Sequence, residues 1–128
     1  MFKINDDLSI YLTRGDAVVF DVQAKQGDGL YQFEAGDKVV FKVSEAKNTV
    51  DAILAVDGQR INDNTMQFKL ESSDTILDTA QINKPVDFWY EISLITATGT
   101  QTLIGYDEDG AKVLRLFPEI GEKKGTGE

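Results

Sequence analysis

Val86-Asp87-Phe88-Trp89-Tyr90-Glu91-Ile92-Ser93-Leu94-Ile95, entered through Pro85, is the stretch that decides the fold class. Val86, Phe88, Tyr90, Ile92 and Leu94 recur at every second position, with Asp87, Glu91 and Ser93 between them. That is the two-residue period of a strand with one face in a core. Its density of β-branched and aromatic side chains suits a pleated surface. Trp89 departs from the pattern, because it falls among the polar residues on the opposite face.

The same period repeats on both sides. Downstream, a turn at Ala97-Thr98-Gly99 pairs this strand with Gln101-Thr102-Leu103-Ile104, and Tyr106-Asp107-Glu108-Asp109-Gly110 turns again into Lys112–Phe117, which Pro118 stops. Upstream, Leu8, Ile10 and Leu12 alternate with Ser9, Tyr11 and Thr13. Arg14-Gly15-Asp16 turns into Ala17–Ala24, with Val18, Phe20 and Val22 on one face, so these two strands are expected to pair as a hairpin or meander. Gln26–Gly29 and Ala35-Gly36-Asp37 are breakers around Leu30-Tyr31-Gln32-Phe33, and Lys38–Ser44 alternates again. Glu45–Val50 is polar and without pattern. Asp51–Val56 fits a strand or a short helix, and strand is preferred. Asp57-Gly58 predicts a tight hairpin turn into Thr65–Glu71, which points Met66, Phe68 and Leu70 inward.

Ser72–Asp78 is the single helical turn expected, since Ser and Asp cap helix starts and Ile76 and Leu77 can anchor it. About seven to nine short strands, separated by turn signals every eight to twelve residues, predict an all-β, antiparallel β-sandwich of immunoglobulin-like type. The sandwich is expected over residues 1–118 as one domain. Residues 119–128 are expected as a polar tail, in which Gly121-Glu122-Lys123-Lys124-Gly125-Thr126-Gly127-Glu128 has no apolar anchor.

Composition narrows the function. A chain of 128 residues can bury about two-thirds of its unfolded surface in one core. Cysteine and histidine are both absent, which removes disulfides, thiolate nucleophiles, the commonest metal ligand and the usual general base at neutral pH. No catalytic, cofactor-binding or metal-ligating set is expected. With 22 acidic and 13 basic side chains the net charge is −9, which opposes nucleic-acid binding. No apolar run approaches the ~20 residues of a membrane span, and Met1–Asp7 lacks a signal-peptide core, so a cytoplasmic protein without a membrane partner is expected.

Four features are candidates for chemistry. Arg14-Gly15-Asp16 is the tripeptide of integrin-binding loops, set against a plain turn that uses Gly and Asp for backbone tolerance. Asp107–Gly110 has the acid density of a calcium loop without the EF-hand spacing, set against a solvated hairpin turn. Trp89, with Tyr11 or Tyr31, would make a contact surface or a sugar-stacking platform if the rings share an exposed face. Paired carboxylates of a glycoside hydrolase would need a cleft that the sequence does not reveal.

The order of these features carries a resemblance. Leu12-Thr13-Arg14-Gly15-Asp16 closing the first strand, Phe33-Glu34-Ala35-Gly36-Asp37-Lys38-Val39-Val40-Phe41-Lys42-Val43 in the middle, the helical turn after Leu70, and Trp89-Tyr90-Glu91-Ile92 beyond it resemble the β-sandwich domains of tailed-phage and prophage structural proteins, above all the amino-terminal domain of baseplate upper proteins. The resemblance runs from about Leu8 to Phe117, over short motifs. It implies a non-enzymatic virion component of tail or baseplate. Such a component would assemble with other tail or baseplate proteins or with copies of itself, made in the bacterial host cytoplasm and carried into the virion. Those proteins usually continue into further domains, whereas this chain stops after its tail, so a stand-alone tail protein fits as well. A carbohydrate-binding module and a hydrolase are the alternatives.

Overall fold

The computed structural model describes residues 1–46 and 51–120, so the unpatterned segment ending at Val50 lies partly, and the tail from residue 121 wholly, outside the described residues. The strands are β1 (Phe2–Ile4), β2 (Ile10–Thr13), β3 (Val18–Val22), β4 (Lys25–Gln26), β5 (Gly29–Leu30), β6 (Lys38–Ser44), β7 (Leu54–Asp57), β8 (Gln59–Asn62), β9 (Thr65–Leu70), β10 (Val86–Thr96), β11 (Gly99–Ile104) and β12 (Lys112–Phe117). One 3-10 turn, Asp74–Ile76, interrupts them. The all-β class expected from alternation is what forms. The segments outnumber the expected strands because β4 and β5 are dipeptides, β1 was not anticipated, and one run is split between two sheets.

The largest sheet has the order β1-β2-β12-β10-β6-β7, the sheet facing it is β3-β9-β8, and β4 and β5 form a separate two-stranded pair. β10 is long enough to serve two partners on one edge. Val86–Tyr90 pairs with β12 and Ile92–Thr96 with β11, so these two strands lie end to end along it. Its other edge is filled by β6 from Trp89↔Ser44 to Ile95↔Lys38. The inner faces meet through aromatic rings. Phe20 of β3 packs edge-on to Phe41 of β6 at 5.5 Å, Phe41 lies 6.1 Å from Phe68 of β9, and Phe2 stacks on Phe20 at 5.3 Å. Phe41 and Phe68 are sealed from solvent, as are Leu12, Val39, Val43 and Leu116. Offset and edge-on rings of this kind add about 0.5–1.5 kcal/mol per pair beyond their buried area.

Three expectations are corrected. The β2 and β3 strands do not pair as a hairpin; the chain passes from one sheet to the other through Arg14–Ala17, and β2 pairs instead with β1 and β12. The β2–β12 pair is parallel, from Leu114↔Ile10 to Phe117↔Thr13, so the large sheet is mixed rather than antiparallel throughout. Asp57-Gly58 is no hairpin turn. β7 pairs with β6 while β8, beginning one residue after Gly58, pairs with β9, so a single run changes sheets there. The physical reason is packing: a β-carbon on Gly58 would stand 3.1 Å from the Phe68 ring and 3.2 Å from Met66 Cβ, and its absence lets the backbone turn this corner against the core.

The helical turn forms where expected, with Leu77 buried, but Ser73 makes no side-chain cap. Instead the Asp74 carboxylate accepts from the Glu71 amide at 2.9 Å, and the wholly buried Thr75 hydroxyl bonds the Asp16 carbonyl at 2.8 Å. The turn is thereby tied to the first crossing.

Candidate functional site

The outward face of the large sheet follows from the register. Tyr11, Arg115 and Asp87 stand side by side on β2, β12 and β10, and two residues further along β10 the next row is Val113, Trp89 and Ser44. Arg115 donates to both Asp87 oxygens, at 2.7 and 3.2 Å, and its guanidinium carbon lies 5.8 Å from the Tyr11 ring centre. The Asp87 carboxylate raises the Arg115 pKa above its ordinary value. Tyr11 in turn meets Phe117 edge-on at 5.3 Å. Tyr11 and Trp89 therefore share one face, as a contact surface requires, though no ring pair joins them.

Tyr31 lies elsewhere. Its ring packs edge-on to Phe33, and its hydroxyl donates to Asp37 Oδ2 at 2.7 Å, within the connection between β5 and β6. That hydrogen bond to a carboxylate pushes its pKa up to about 12.

Trp89 forms one wall of a groove of about 270 Å³ over the junction where β11 gives way to β12. Lys42 and Ser44 come from β6, Glu91 from β10, and Tyr106 from the turn beyond β11; Ala46, Ala52, Tyr90, Ala111 and Lys112 complete the lining. Tyr106, at 70 % exposure, is the most open aromatic residue of the groove. Glu91 is held in place. Its Oε1 accepts from the buried Ser93 hydroxyl at 2.8 Å, and its stem packs over Gly105, where a β-carbon would meet Glu91 Cγ at 3.2 Å. Lys42 is the cross-strand partner of Glu91, yet the two form no ion pair, and neither the Lys42 ammonium nor the Ser44 hydroxyl has a partner among the described residues. Sequence reasoning missed Tyr106, Lys42 and Glu91, because alternation assigns side chains to faces but not strands to neighbours. The usable signal was Tyr106 itself, a large aromatic residue placed in a turn.

Two motifs resolve into structural roles. Arg14 is buried: Nε donates to Thr79 Oγ1 at 2.9 Å, Nη2 to the Thr79 carbonyl at 2.9 Å, and Nη1 to Glu119 Oε1 at 2.7 Å. Arg14-Gly15-Asp16 is thus an inter-sheet crossing and presents no arginine to solvent, while Glu119, assigned to the tail, is itself buried against it. In the acidic turn, the nearly buried Lys112 ammonium donates to Asp107 Oδ1 at 2.7 Å and to the Gly110 carbonyl at 3.3 Å. The ammonium of Lys112, the first residue of β12, thus lies against this turn, and that bond keeps the Asp107 carboxyl below its ordinary pKa. The loop between β1 and β2 is pinned nearby, where the Tyr90 hydroxyl donates to the Leu8 carbonyl at 2.5 Å and Leu8 holds a left-handed φ of 70°. Burial, and then the charge of Asp7, raise the Tyr90 pKa.

Among the described residues no helix is long and apolar enough to cross a membrane. No protein-family model matches the chain, and none of the curated proteins matches it significantly.

Proposed function

We propose that the chain is a non-enzymatic structural protein of a phage or prophage virion, a tail or baseplate component on an immunoglobulin-like β-sandwich, acting by protein–protein assembly. It would be made in the bacterial host cytoplasm and carried into the particle. The observation that carries this reading is the outward face of the large sheet. Tyr11, Phe117 and Arg115 are clustered and mutually oriented there, and aromatic residues with arginine are what interface centres are enriched in.

The outward face of the small sheet offers a contrast, since Asp21 and Gln67 there satisfy each other at 3.2 Å. Two facing sheets between which the chain passes four times support the immunoglobulin-like reading. The resemblance of its short motifs to those of baseplate upper proteins is what suggests the context.

The test is composition of the particle. Antibody labelling and mass spectrometry of purified virions are expected to find the protein in the tail, and a Tyr11→Ala, Arg115→Glu variant to be left out of it. Absence of the natural protein from purified particles would end the proposal.

A further inference from the structure

We infer that the groove between Trp89 and Tyr106 binds a saccharide, one neutral or N-acetylated pyranose unit of a larger glycan, stacked on the indole. This inference does not depend on the assembly reading, which uses the Tyr11, Arg115 and Phe117 end of the same face.

The first support is shape. Trp89 is flanked by Ser44 on one neighbouring strand, with Ala46, Ala52 and Ala111 also in the lining, so short side chains surround a broad ring and leave space beside it. A groove of about 270 Å³ falls just below the range of about 300–1,000 Å³ typical of sites for drug-sized ligands, which suits one ring unit rather than an extended segment. Tyr106, from the turn between β11 and β12, supplies a second aromatic side chain to the lining.

The second support is hydrogen-bonding capacity. Beside the indole stand the Lys42 ammonium and the Ser44 hydroxyl, neither with a partner among the described residues, and the Glu91 carboxylate, whose Oε1 is fixed by Ser93 while its Oε2 accepts no hydrogen bond among the described residues. The neighbouring row of the same face differs, since Arg115 and Asp87 there engage each other, and Lys112 in the groove lining is taken up by Asp107. Hydroxyl groups both donate and accept, so adjacent sugar hydroxyls can satisfy Glu91 and Lys42 together while the C–H face of the ring covers Trp89. A proline-rich peptide, the other ligand of aromatic grooves, offers mainly carbonyl acceptors and would leave the Glu91 carboxylate facing like partial charge. The complementarity therefore selects the sugar.

Trp89 is the chain's single tryptophan, so its fluorescence reads the groove directly. An array of neutral and N-acetylated glycans would be screened first with the full chain. The strongest binder, as a soluble oligosaccharide, would then be titrated against tryptophan emission, with a proline-rich decapeptide in a parallel titration. A saturable change in emission with the oligosaccharide is expected. Tyr106→Ala should weaken binding about tenfold, the loss of a 1.4 kcal/mol contact, and Glu91→Gln and Lys42→Met each severalfold, with circular dichroism unchanged. Trp89→Ala, followed by calorimetry, should abolish it. Lys69→Glu, on the outward face of the small sheet and far from the groove lining, should bind as the natural chain does. No binder on the array, a saccharide bound equally well by Trp89→Ala, or saturation by the peptide instead would each overturn the proposal. None of these outcomes bears on whether the protein is found in virions.

Discussion

The chain makes two short passages between its sheets, and it solves the same problem in opposite ways. At Arg14–Ala17 it places a long charged side chain in the interior and surrounds it with partners: Thr79 twice and Glu119 once. At Gly58 it places no side chain at all, and the rings of the core close over the backbone. The first crossing depends on residues from the far end of the chain, since Glu119 lies 105 positions away. The second depends on neighbours of one hairpin. A buried charge makes a crossing conditional on the whole fold being complete, whereas a glycine makes it conditional only on local packing.

The largest effect should come from breaking the charged crossing. Arg14→Ala strands the Glu119 carboxylate, whose side chain is 1 % exposed and whose Oε2 has no partner among the described residues, and should cost about 3–5 kcal/mol in urea unfolding. Arg14→Met combined with Glu119→Leu should recover most of that loss, because replacing both ions with apolar groups removes the desolvation penalty along with the pair. A double variant no better than Arg14→Ala would show that the pair is worth more than its burial costs.

Next in size is Gly58→Val, which forces atoms into the Phe68 and Met66 contact and should cost about 1–3 kcal/mol by thermal melting. The backbone at Gly58 is not left-handed, so the penalty is steric alone, and it should shrink in a Phe68→Leu background. An unchanged penalty there would mean that the corner is strained in its backbone instead.

Thr79→Val removes two hydrogen bonds, the one accepted from Arg14 Nε at 2.9 Å and the one donated to the Ile76 carbonyl at 2.6 Å, while keeping the Arg14 contact to the Thr79 carbonyl, and should cost about 1.5–3 kcal/mol. A loss as large as that of Arg14→Ala would show that Thr79, rather than Glu119, anchors the arginine.

The smallest effect concerns the longer passage from β5 to β6, which is organised by Asp37: its Oδ2 accepts from the Tyr31 hydroxyl and from the Glu34 amide at 2.9 Å. Tyr31 has a folded pKa raised to about 12 from an ordinary value of about 10. Its contribution is therefore complete below pH ~10 and disappears as pH rises through about 12. Between these limits the stability of the natural chain should fall more steeply than that of Tyr31→Phe in parallel urea titrations. Identical slopes would dissociate the hydroxyl from the stability of this passage.

The contrast between the crossings also explains what could be read in advance. Strands such as Val18–Val22 and Val86–Thr96 announce themselves, because alternation records which face each residue will present to the core. Pairing leaves no such record. Nothing local to Leu8–Ala24 separates a hairpin from two strands in opposite sheets, and nothing local to Ile10–Thr13 points to a parallel neighbour at Leu114–Phe117. Arg14 looked like a turn residue because its partners are distant, and Gly58 looked like a hairpin because Asp-Gly suits both. Of the candidate site, Trp89 and Tyr11 were legible, on one face as expected. Lys42 and Glu91 become neighbours only through the β6–β10 register.

The parallel pairing of β2 with β12 has a mechanical consequence. Tension applied between Met1 and Phe117 first peels β1 from β2, breaking a short antiparallel ladder one rung at a time. The load then reaches β2 and β12 from opposite ends. Their hydrogen bonds, continued by the Arg14 amide to the Phe117 carbonyl at 3.0 Å, resist together in shear. Stretched from its two ends in an optical trap, the domain is expected to hold until that ladder yields in a single event, and a gradual opening at low force would contradict this. For a part built into an assembly that is pulled, the direction of one short strand sets how much force the part can carry.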